Sequence, residues 1–110
     1  MSTLSTHVLD TALGRPAAGV PVTLTRDDGA ALGAGATDDD GRVRTLLPDG
    51  QPLGAGTYRL RFDVGAYFAR GGREAFYPEV TVVFRVGARD EHYHVPLLLS
   101  PYGYSTYRGS

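Results

Sequence analysis

The side chains able to exchange protons near neutral pH are His7, His92 and His94, because imidazole has an unperturbed pKa of about 6.5. Cysteine is absent and every basic residue is arginine. That removes thiolate nucleophiles, thiolate metal sites, disulfides and Schiff-base lysines together. His92 and His94 stand two apart, so a regular strand turns both toward one face. A metal would want a third ligand close by, and none is in sequence reach, so no metal site is expected. The commonest role for a histidine on a strand is a satisfied surface or core residue. The reading with more chemistry in it is general acid–base work on a bound water, with His7 supplied from a separate strand.

Two further segments bear on chemistry. Asp38-Asp39-Asp40-Gly41 has adjacent rather than alternating acids and no closing glutamate at calcium-loop spacing. It reads as a turn whose glycine takes a positive φ, presenting Arg42 at the start of a strand. The C-terminal run Tyr102–Ser110 holds three tyrosines near strand alternation. Such an end is normally a frayed edge, but it has the groups to fold over a pocket. No Gly-x-Ser-x-Gly elbow occurs, and Gly33-Ala34-Gly35 precedes strand-like residues rather than a helix, so it is no phosphate loop.

The elements that must position these groups are short. Fifteen glycines and seven prolines interrupt the chain too often for long helices. Alternation of apolar and polar residues predicts strands over 20–25, 57–63 and 80–86, with weaker ones over 4–10, 31–37, 42–46, 91–100 and 102–107. One helix is expected over 64–71, with Val64 and Phe68 on its buried side and Gly71-Gly72 closing it. Eight strands and one helix indicate an antiparallel two-sheet sandwich. In 92–100, Tyr93, Val95, Leu97 and Leu99 form an apolar face. The other face carries His92, His94, Pro96 and Leu98, apolar toward its end, so something must cover it, and a second subunit is the simplest cover. Pro96 has no N–H and is expected at an unpaired or bulged position.

A chain of 110 residues suits a single domain spanning 1–110. Its net charge of −1 lacks the basic excess of a nucleic-acid binder, and no apolar run is long enough to cross a membrane as a helix. The amino-terminal residues do not resemble a secretory signal, so a cytoplasmic location is expected.

Three stretches together resemble the transthyretin-like 5-hydroxyisourate hydrolases of urate breakdown: residues 4–22 with Ser-Thr-His-Val-Leu-Asp, residues 37–42 ending in Asp-Gly-Arg, and residues 92–110 ending in Tyr-Arg-Gly-Ser. Gly65–Phe68 also fits the family's short helix. The resemblance covers nearly the whole chain. It implies a transthyretin-like all-β sandwich and hydrolysis of 5-hydroxyisourate to 2-oxo-4-hydroxy-4-carboxy-5-ureidoimidazoline without metal or organic cofactor. It implies His7, Arg42 and His94 as the catalytic set, and Tyr107, Arg108, Gly109 and Ser110 as the substrate-binding tail. His92 lies outside that set, and which of the two catalytic histidines is the base stays open. The resemblance further implies a homotetramer, a dimer of dimers with sites in the channel between them. Transthyretins that carry a small ligand share the scaffold but replace the histidines, the arginine and the tail, so a carrier without catalysis is the alternative reading. A sandwich used only for interactions is a third, and it predicts that the tail is dispensable.

Overall fold

The computed structural model describes residues 2–47, 51 and 53–110. Nine strands and one helix follow in the order β1 (Thr3–Asp10), β2 (Arg15–Pro16), β3 (Pro21–Arg26), β4 (Ala31–Ala36), β5 (Arg42–Val43), β6 (Gly56–Phe62), α1 (Val64–Arg70), β7 (Val80–Val86), β8 (His92–Ser100) and β9 (Gly103–Thr106). All eight expected strands are present within a few residues. The two-residue β2 is an addition, too short to show any alternation.

The strands form two sheets. One has the order β4-β3-β6-β7. The other has the order β2-β1-β8-β9, with β5 sharing β1's outer edge beside β2. Alternation decides their facing: Val22 and Leu24 of β3, Leu60 and Phe62 of β6, Val8 of β1 and Leu97 and Leu99 of β8 are all buried between the sheets. Residues on the opposite faces of these strands are half-buried or exposed, apart from the buried Pro96 of β8. Helix α1 caps the sandwich through Val64 and Phe68, one turn apart and both buried. Its first turn is closed by the Asp63 carboxylate, which accepts from the Ala66 N–H at 3.2 Å. At its other end Gly72 adopts a φ of +68°, as the paired glycines predict.

One ladder departs from the antiparallel expectation. β1 and β8 run parallel, in register from Thr3↔His92 to Asp10↔Leu99. A two-residue hairpin forces its strands antiparallel. These two strands are the first and the last but one, joined through almost the whole chain, so no turn constrains their direction.

Across β8, β9 pairs antiparallel from Ser100↔Gly103 to Leu97↔Thr106, and the same register reappears at the bridge His94↔Gly109. Between these points the ladder lapses at Val95 and Pro96, where Pro96 has no hydrogen to give. The Pro96 carbonyl instead accepts from the Thr106 hydroxyl at 2.7 Å. Part of the cover over β8's outer face is therefore the chain's own C-terminal end. Leu9 and Leu98, side by side on that face, stay only half-buried.

Candidate active site

The site grows from β1. Alternation puts Val8 inward and His7 and Ser5 outward, and the β1–β8 register sets Ser5 beside His94 and His7 beside Pro96. On β1's other edge His7 is the register partner of Arg42 on β5. His7, Arg42 and His94, drawn from three strands, thus lie on one outer face.

The acidic turn holds the Arg42 side of this arrangement. The Asp38 carboxylate accepts from the backbone N–H groups of Asp40 at 2.9 Å and Arg42 at 3.0 Å. These bonds, the Arg42 one foremost, together with Arg44 keep the Asp38 carboxyl below its usual range despite the opposing effect of desolvation. The turn closes on itself as expected of Asp-Gly, with Gly41 at φ +77°. Gly41 also packs against β1: its carbonyl accepts from the Val8 N–H at 2.7 Å, and a Cβ there would stand 2.3 Å from the Val8 oxygen. Glycine is needed at this position for both reasons.

Docking the turn in this way brings the Asp40 carbonyl to 2.8 Å from His7 Nε2. A carbonyl only accepts, so Nε2 carries the proton and His7 keeps a free lone pair on Nδ1. His94 is held from the other side. Ser5 Oγ lies 2.9 Å from His94 Nδ1 and 2.9 Å from His92 Nε2, which leaves His94 Nε2 for chemistry. Burial and then the Arg42 charge push the His94 pKa below its ordinary 6.5. The Ser5 backbone acts in the opposite sense, and His7 and His92 add smaller downward effects. His94 is therefore neutral at pH 7.

The tail residues divide. Gly109 donates its N–H to the His94 carbonyl at 2.8 Å, and its α-carbon sits so close that a Cβ would meet His94 Cδ2 at 2.5 Å and Pro96 Cγ at 3.3 Å. Extending the β8–β9 register puts Tyr107 opposite Pro96, on the histidine face, and its ring is exposed. Arg108 falls opposite the inward Val95 instead. Its guanidinium bonds Glu91 and lies 4.7 Å from the Tyr93 ring centre. Ser110 is exposed at the chain end. A 320 Å³ cavity runs under the tail between β7 and β8, with Arg85, Tyr93, His94 and Tyr107 among its walls; His7 and Arg42 are not among them.

Of the residues singled out from sequence, the fold brings together His7, Arg42, His94 and Gly109. It leaves Tyr107 and Ser110 exposed beside them and pairs Arg108 with Glu91 on the wall of the cavity that His94 also lines. Ser5 and Thr3 were not singled out, although both share the outward phase of β1 with His7. Only the alignment of β1 beside β8 shows that they reach the histidines.

This arrangement offers a lone pair, a fixed cation and a second neutral imidazole around one open face, the parts needed to deprotonate water and stabilise an oxyanion. Residues 4–109 match the family described as Transthyretin: HIUase/Transthyretin family. The chain is 50% identical over 117 residues to the 5-hydroxyisourate hydrolase of Caulobacter vibrioides, covering 100% of both chains. The solved 5-hydroxyisourate hydrolase of Klebsiella pneumoniae superposes with a TM-score of 0.90 at 45% identity, covering 100% of this chain and 94% of that one. Sea bream transthyretin in complex with thyroxine superposes at 0.88 with 33% identity, covering 96% and 93%.

Proposed function

The chain belongs to the HIUase/Transthyretin family, and on that footing we propose that it hydrolyses 5-hydroxyisourate to 2-oxo-4-hydroxy-4-carboxy-5-ureidoimidazoline by attack of water on a ring amide. The observation that carries this reading is the convergence of His7, Arg42 and His94 from three strands onto one face, with Gly109 seated on His94.

Roles follow from the free atoms. His7 Nδ1 takes a proton from water as it attacks the carbonyl. The engagement of His7 Nε2 with the Asp40 carbonyl supports His7 rather than His94 as the base. Arg42, charged at any relevant pH, faces the developing oxyanion; one such donor contributes about 2.7–4 kcal/mol in comparable sites. His94 Nε2 faces the ring nitrogen that departs and needs a proton. Tyr107, Gly109 and Ser110 border the substrate. Arg108 lines the cavity that His94 and Tyr107 share, and its exposed pair with Glu91, of a kind worth about 0–1 kcal/mol, leaves it able to turn to the substrate. No step requires a metal or organic cofactor, because the ring amide is already activated.

Residues 1–110 act in this reading as one domain. The half-buried Leu9 and Leu98 beside the histidines favour assembly as a homotetramer with sites in the channel between dimers. A cytoplasmic location completes the reading; among the described residues no helix is long and apolar enough to cross a membrane.

The decisive experiment generates 5-hydroxyisourate from urate with an oxidase and follows its ultraviolet decay. Purified protein should accelerate the decay well above the spontaneous rate, and removing residues 107–110 should abolish the acceleration. A protein that binds the compound without hastening its decay is the ligand carrier instead.

A further inference from the structure

Four side chains form a line across the β1–β8 pair. Thr3 Oγ1 lies 2.6 Å from His92 Nδ1, and Ser5 Oγ lies 2.9 Å from His92 Nε2 and from His94 Nδ1. The line runs from an exposed imidazole to a half-buried one. A hydroxyl has one proton and two lone pairs, so Ser5 donates to at most one of its two nitrogens. Where it donates to one and accepts from the other, the hydrogen bonds run one way along the line.

The reaction selects the direction. His94 is asked to give a proton to the departing nitrogen from Nε2, yet it faces the Arg42 guanidinium on β5 and His7 on β1, with His92 on its own strand, and the tail laid against it contributes the uncharged Gly109. Burial first, and then those charges, hold its pKa below the ordinary 6.5, so at neutral pH it keeps no second proton in reserve. The proton it loses at Nε2 must be replaced at Nδ1 as it leaves, and Ser5 is the side chain bonded to that nitrogen.

Resting on the hydrolase reading above, we propose that Ser5 is a positioning residue that fixes the tautomer and orientation of His94 and resupplies its Nδ1 with a proton drawn from His92. The transfers balance. The His94 Nε2–H bond breaks as the N–H bond of the departing amine forms. The Ser5 proton moves to His94 Nδ1, and the His92 Nε2 proton moves to Ser5. In the same motion Thr3 gives its hydroxyl proton to His92 Nδ1 and takes one from solvent water, so His92 stays neutral. The line resets when His94 Nε2 takes a proton from solvent and the line gives one up at Thr3, while His7 releases to solvent the one it took from the attacking water. In the resting state His94 carries its proton on Nε2 and accepts from Ser5 at Nδ1.

The test combines imidazole nitrogen NMR with kinetics on the intact chain. In the wild type the His94 nitrogens should report the Nε2–H tautomer. Ser5→Ala should shift that tautomer balance and the His94 titration. It should also lower kcat about ten- to hundredfold with KM little changed, and Ser5→Thr, which keeps the hydroxyl, should restore both. Identical His94 shifts and titration in the wild type and Ser5→Ala would overturn the proposal, as would an Nδ1–H tautomer in the wild type. The NMR readout needs no turnover, so an inactive wild type would count against the hydrolase reading while the Ser5–His94 coupling was still being measured.

Discussion

Replacing Gly109 with alanine adds one methyl group and isolates the contact on which the tail's role depends. The backbone of Gly109 is not among those with positive φ, so alanine introduces no conformational strain there. The added carbon would lie 2.5 Å from His94 Cδ2, 3.2 Å from His94 Cγ and 3.3 Å from Pro96 Cγ. Ordinary contact begins near 3.4 Å, so the imidazole or the tail must move by about 1 Å. Overpacking of this kind costs about 1–3 kcal/mol, and if it falls on the reacting geometry it corresponds to roughly a 5- to 150-fold loss in kcat/KM. The melting temperature should hardly change, because the last residues lie at or near the surface. The control is Gly103→Ala on β9, where the nearest atom to an added carbon is Ser100 Oγ at 3.7 Å; it should behave as wild type. Both variants would be assayed by decay of enzymatically generated 5-hydroxyisourate. Full activity in Gly109→Ala would refute the argument that the tail acts by seating on His94.

Other outcomes follow from the same geometry. His7→Ala, Arg42→Ala and His94→Ala should each cost at least about tenfold in rate, within the range of about 10²–10⁴ for positioned proton-transfer groups. His92→Ala should cost much less, because His92 is exposed and solvent water can take its place beside Ser5; an equal loss there would undo the assignment. Burial and then Arg42 hold the His94 pKa below 6.5, so the folded and unfolded chains differ in His94 protonation in the window below pH 6.5. In that same window the unfolded chain binds more protons than the folded one, so stability should decline as pH drops through it; a thermal-melt series that rises on acidification contradicts this. Asp10 is fully buried, and burial alone would raise its carboxyl. Hydrogen bonds from Arg73, from Tyr67 at 2.7 Å and from the Leu13 N–H at 3.0 Å outweigh that and hold it below its usual range. Asp10→Ala leaves Arg73 and the Tyr67 hydroxyl without that partner. It should cost about 3 kcal/mol and lower the melting temperature by roughly 10–20 °C; a change of only a degree or two would refute the role of the cluster.

Much of this molecule was legible in its residues taken in order. Period-two alternation located every strand longer than two residues, because a half-buried strand must sort its side chains between core and water. The same rule showed that His92 and His94 share a face. The Asp-Gly turn ahead of Arg42 was readable because positive φ is a local demand that glycine meets at no steric cost. The family's residues 4–22, 37–42 and 92–110 named the histidines, the arginine and the tail.

Pairing decided the rest. Only the fold lays β1 parallel to β8, which sets Ser5 against His94, and only the fold puts β5 on β1's other edge, which sets Arg42 against His7. It also pairs Arg108 with Glu91 at the surface and seats Gly109 on an imidazole. The physical reason is range. Alternation and turn geometry act between neighbours and leave their mark in a few successive residues. A contact such as Ser5 to His94 spans 89 positions and is fixed by the packing of both sheets at once, so no short segment records it.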